Sequence, residues 1–161
     1  MDQAHIHLLI THLPLFGSIL GALVLFYGIS KKSEETKLAA YYLFIISAIG
    51  AGIAYFTGEG AEEAVENLPG VIKNSIKAHE DFAFYAILCM SCLGFISLLG
   101  LILTIKKLPF TNSISYLILV ISLFSFLASA RTAYLGGQIR HSEINNTLNP
   151  PIELENHKDV D

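Results

Sequence analysis

The chain carries 6 histidines in 161 residues, and His7, His12, His79 and His141 border long apolar runs. A neutral imidazole offers one nitrogen lone pair, and an unpartnered polar ring beside hydrocarbon is costly, so such histidines are candidate ligands by default. His12 leads this set, because a helix entered near His7 has carried it about 7 Å deeper at ~1.5 Å per residue. His79, at the mouth of a later apolar run, is its expected partner, with His7 and His141 as alternates. On an unbroken helix His7 and His12 point about 140° apart, whereas His5 and His12 share a stripe. Pro14 removes a backbone donor and disfavours helical geometry at Leu13, which predicts a kink or local unwinding beside His12.

Two chemistries fit this set. Two imidazoles from facing helices can be the axial ligands of a haem b, with Arg131 or Arg140 meeting its propionates. Imidazoles joined by Glu59, Glu63 or Glu80 can instead hold a Zn, Fe or Cu ion directly. The separate helical origins of the histidines, and the aromatic residues at their mouths (Phe16, Tyr55, Phe56, Phe82, Phe84, Tyr134), favour haem. The acidic residues favour the bare ion.

The elements that must position these groups are membrane helices. Hydrophobic residues make up 53% of the chain, more than a soluble domain carries. They concentrate in four runs, near Leu8 to Ile29, Leu38 to Phe56, Phe82 to Ile105 and Ile114 to Leu135, each approaching or exceeding the ~20 residues that cross a bilayer. Arg131 is the one formal charge inside them. The expected fold is therefore all-α, an integral membrane four-helix bundle spanning 1–141, followed by a flexible polar tail over 142–161 in which His157 is incidental.

Gly17 and Gly21 have the small-residue spacing that lets membrane helices approach closely, and the second run is rich in Ser, Ala and Gly. Ser122, Ser125 and Ser129 form a polar stripe expected to face the bundle. Beyond Tyr55, the recurrence of Glu59, Glu62, Glu63 and Glu66 predicts a short amphipathic helix on the membrane face, and Val71 to Lys77 a second. Gly136-Gly137 is expected to end the last helix. Arg131, still inside its apolar run, calls for an anionic partner, from a loop glutamate or a bound group.

Lys31, Lys32 and Lys37 lie in one short loop, and Lys106 and Lys107 in another, whereas the long middle loop has just Lys73 and Lys77 among many carboxylates. Cytoplasmic loops keep their lysines, so both termini and all the bordering histidines are expected on the periplasmic side of a bacterial inner membrane. The N-terminus lacks the basic start of a cleavable signal, so the first run is expected to stay as an anchor. A net charge of -4 gives no footprint for nucleic acid. Cys89 and Cys92 are too few for a disulfide framework and read as small core hydrophobes.

The stretch His7-Leu-Leu-Ile-Thr-His12-Leu-Pro14 resembles the opening of a bacterial membrane family catalogued as domain of unknown function 2231. The likeness extends to Thr57-Gly58-Glu59-x-Ala61-Glu62-Glu63, to His79-Glu80, and to Gly136-Gly137 followed by His141. Leu8 stands where the family usually has proline, Leu13 where it has phenylalanine, and Ser142 where glycine commonly follows the last histidine. The resemblance implies a four-helix membrane protein that binds haem or metal, without an established activity.

These readings converge on a small b-type cytochrome-like electron carrier or redox anchor, with haem near the outer leaflet. It would pass electrons between quinol and a periplasmic redox protein. The alternatives are a non-haem metal-binding membrane protein and a structural subunit of a larger membrane complex.

Overall fold

The computed structural model describes residues 2–69 and 71–148, with side chains up to residue 139. Five helices account for almost all of it: α1 (Gln3–Ile10), α2 (His12–Ser30), α3 (Glu34–Glu63), α4 (Lys73–Ile105) and α5 (Thr111–Leu148). There is no strand among the described residues. α1 and α2 are two parts of one apolar rod, so the chain has four helical units long and apolar enough to cross a membrane. It is a helical membrane bundle.

The break between α1 and α2 falls at Thr11, one turn before Pro14. The physical cause is the proline nitrogen, which cannot donate to the carbonyl of Ile10 and crowds it. The disturbance is slight, since Thr11 keeps helical dihedrals and its N–H still reaches the His7 carbonyl at 3.0 Å.

Packing runs in a ring in which α2 touches α3 and α5, and α4 touches the same two. The α1–α2 rod and α4 are therefore diagonal partners across the bundle axis, and α1 leans on α3. The core holds Leu25, Tyr41, Phe44, Met90, Leu93 and Ile118. Gly17 and Gly21 face Ser47 and the Phe44 ring of α3, the close approach their spacing predicted. Ser122, Ser125 and Ser129 all point inward. Ser122 donates back to the Leu119 carbonyl at 2.7 Å, and Ser125 crosses to the Cys89 carbonyl at 3.2 Å. Outward the surface is apolar: Phe95 is 73% exposed and Phe124 64%. In water such a girdle would drive aggregation, whereas lipid solvates it.

Three boundaries differ from the expectations. The acidic segment is not a separate short helix, because α3 runs unbroken through Glu63, and Val71 to Lys77 is largely the first turn of α4. At ~1.5 Å per residue α4 is about 50 Å long, well beyond the ~30 Å of hydrocarbon, so its polar end projects. Nor do Gly136 and Gly137 stop α5, which continues to Leu148 across the expected boundary at 141. Residues 149–161, His157 included, lie outside the described residues.

Candidate functional site

The diagonal pairing of α1 with α4 brings His7 and His79 together. Their ring centres lie 6.4 Å apart with planes at 78°. Each ring is held by a carbonyl of the helix beside it. His7 Nδ1–H donates to the Ala54 oxygen of α3 at 2.8 Å, with Thr57 Oγ1 a further 3.4 Å neighbour. His79 Nδ1–H donates to the Thr132 oxygen of α5 at 2.9 Å.

A carbonyl oxygen only accepts, so each bond assigns the proton to Nδ1 and leaves Nε2 with its lone pair in the neutral ring. That is the arrangement by which an outer hydrogen bond fixes the tautomer and orientation of a metal-binding histidine. Both rings are half-buried.

Backbone clearance sets the His79 ring. A Cβ added at Gly136 would stand 3.0 Å from His79 Cε1 and 3.1 Å from Nδ1. This glycine is therefore part of the seat of the imidazole, not a helix terminator. On the opposite wall Gly58 lies near His7, where a Cβ would be 3.7 Å from Cε1.

The two rings line a cavity of about 90 Å³, walled by Ala51, Ala54, Ala83, Ala86, Met90 and Ser129 among others. Ser129 is 7% exposed, and its hydroxyl finds no partner among the described residues. A buried, unsatisfied hydroxyl is uncommon and calls for an explanation. Here it adds a polar atom to an otherwise alanine-rich wall.

The other sequence candidates stand elsewhere. His12 is exposed, donates from Nδ1 to the Leu8 carbonyl of its own helical stretch at 3.1 Å, and stacks on Phe16 at 6.3 Å. It is not brought to His79: the five-residue offset from His7 turns it outward, and rotation outweighs depth. Arg131 is exposed, not buried against an anion. Its guanidinium sits 5.5 Å from the Phe82 ring centre and 5.4 Å from that of Tyr134, within the ~6 Å of a cation–π contact.

Glu59 and Glu63 are exposed and do not join the histidines. Two other carboxyls meet instead, those of Glu62 and Glu80 across the ends of α3 and α4. The side chains of Arg140 and His141 lie outside the described residues. Among the described residues no group of three or more His, Cys, Asp or Glu side chains is placed to hold a metal ion.

Residue-type reasoning passed over Thr132, Gly136 and Met90 as parts of the site. Thr132 contributes through its backbone, which carries no sequence signal, and a Met in an apolar run reads as core. Gly136 was noticed, but as punctuation. No protein-family model matches the chain, and neither a curated protein nor a solved structure matches it significantly.

Proposed function

We propose that the protein is a membrane redox carrier in which His7 and His79 hold a haem between diagonal helices. The observation that carries this reading is the pairing of the two rings with both Nδ1 atoms tied back. A metal binds an imidazole nitrogen at about 2 Å, so two rings this near each other could both reach one ion. The separation here is 6.4 Å.

The donor set fits. A haem brings four nitrogens of its own and asks the protein for two, the number this site supplies. The room is less complete, since about 90 Å³ is below the ~300–1,000 Å³ of a typical small-molecule site. Alanines of three helices line it, with Tyr55, Ile87 and Met90 beside them, so a haem would need more room than this structure opens.

When bound, haem supplies one-electron exchange. His7 and His79 would hold it, and the carbonyls of Ala54 and Thr132 would keep both rings oriented and basic. The apolar walls would keep water from it, and, near the site in sequence, the exposed rings of Phe82 and Tyr134 pack with Arg131. With lysines gathered at the far end, the site belongs to the periplasmic leaflet of a bacterial inner membrane, both termini on that side, between quinol and a periplasmic redox protein. Kinship with the family of domain of unknown function 2231 belongs to this proposal and rests on the motifs alone.

The small cavity and Met90 in its lining favour a second reading, a single soft ion such as Cu held by the same two imidazoles. The test is a reduced-minus-oxidised spectrum together with elemental analysis of protein purified from haem-replete cells. An α band lost in His7→Ala and in His79→Ala supports haem; stoichiometric metal without porphyrin supports the ion. Neither one present overturns both.

A further inference from the structure

α1 differs from the helices it sits among. None of its residues is buried, whereas α2, α3 and α4 each bury a face. Leu8 and Leu9 point outward at 60% and 71% exposure, and apart from its join to α2 the helix rests mainly on α3. That seat is made of glycine. A Cβ at Gly60 would stand 2.8 Å from the Gln3 Cβ, and one at Gly58 3.7 Å from His7 Cε1. Glycines let α1 lie close without side chains that interlock with it. Across this seat His7 donates to the Ala54 carbonyl at 2.8 Å.

The join to α2 is built to bend. The Pro14 nitrogen leaves the Ile10 carbonyl without its helical donor. Backbone groups released in hydrocarbon need other partners, and at this break Thr11 Oγ1 and His12 Nδ1 both reach the Leu8 oxygen at 3.1 Å. Side chains therefore cover a backbone oxygen that a bend would bare. The same segment closes the cavity: His7, Thr11 and Pro14 form one wall, facing His79, Ala83 and Ala86 of α4. About 90 Å³ is what this closed arrangement leaves.

With His7 and His79 taken as the pair that holds the haem, we propose that α1 is a lid, hinged between Thr11 and Pro14, which swings off α3 to admit the haem and returns to bring His7 onto it. The room that the closed bundle lacks comes from moving a helix with nothing buried. Leu8 and Leu9 already face outward, so they lose little when it moves. A few residues at the ends of elements are the usual hinge for enclosing a guest.

The test locks the lid. In the full chain with Cys89→Ser and Cys92→Ser, Gln3→Cys and Gly60→Cys place two thiols near enough for a disulfide once the helices ease apart by about 1 Å. The rate of hemin uptake in detergent is read from the Soret band, for the bridged form and for the same protein with the bridge reduced. Uptake by the bridged form is slower by about tenfold or more, and reduction restores it. Bridged after loading, the protein gives up haem to apo-myoglobin more slowly by a similar factor. Gln3→Cys alone shows no difference between the two conditions. Equal rates with the bridge closed and open overturn the lid.

A second variant needs no added cysteine and carries the test should the pair fail to fold. Pro14→Ala returns an N–H to the Ile10 carbonyl, stiffens the join and slows uptake in the same direction. Unchanged uptake, with circular dichroism matching the unaltered chain, overturns the hinge. Should no form take up hemin, the haem reading fails and hydrogen exchange decides the lid separately. The amides of Leu8 to Ile10 then exchange faster in the reduced pair than in the bridged one if α1 opens, and equal exchange overturns it.

Discussion

The two ends of the bundle meet the same physical difficulty, polar groups withdrawn from water, in opposite ways. At the histidine end, each ring donates from Nδ1 to a neighbouring backbone carbonyl, so both rings are oriented and each Nε2 is left without a bond to that carbonyl. At the lysine end, the Lys37 side chain is buried and its nitrogen donates to a side-chain amide. The first end is finished as a protein structure and has acceptor capacity to spare. The second has its one buried amine already bonded. Under the reading proposed above, the first end is the one fitted to a metal, because it keeps acceptors that the chain does not use.

The largest effect that can break this contrast is removal of a ring. His79→Ala or His7→Ala is expected to abolish retention of the cofactor, because no third His, Cys, Asp or Glu stands ready among the described residues. The cofactor-to-protein ratio of the purified variants checks this. Next comes Gly136→Ala. The added methyl would contact the His79 ring at about 3 Å, so the imidazole shifts from its carbonyl, and affinity falls by about 10–100-fold, as for other lost outer-sphere supports. A competition titration with apo-myoglobin as haem acceptor reads that loss.

At the lysine end Lys37→Met tests the reverse. The ammonium has an amide and no carboxylate as its partner, so an apolar chain of similar length removes its desolvation cost, and the thermal midpoint in detergent holds or rises. The smallest effect is expected of His12→Ala. Its ring is exposed and bonded to its own helix, so cofactor retention and midpoint should match the unaltered protein.

The architecture was legible because hydrocarbon tolerates few alternatives. Runs of about 20 apolar residues with a single arginine have to be helices, and small residues at the Gly17 and Gly21 positions have to be contacts. The site was half legible. That histidines gather at one end could be read from their positions in the runs, but which ones face inward depends on rotation about the helix axis. His7 and His12 are told apart by the 6.4 Å approach of His7 to the ring of His79, which no pattern in either segment specifies.

Gly136 shows a subtler failure. Glycine before a polar stretch is a reasonable stop signal, yet here the missing side chain serves a neighbouring helix. Lys37 was counted with a loop because it follows two loop lysines. Close packing against Gly28 draws it inside, an effect visible only once α2 and α3 are set side by side.

The most direct test of the central claim is the optical spectrum of the reduced protein, recorded for the unaltered chain and for His7→Ala, His79→Ala and His12→Ala. An α band present in the first and in His12→Ala, and absent from the other two, is the outcome expected if His7 and His79 are the axial pair. A band that survives in both His7→Ala and His79→Ala, or one lost in His12→Ala alone, would contradict it.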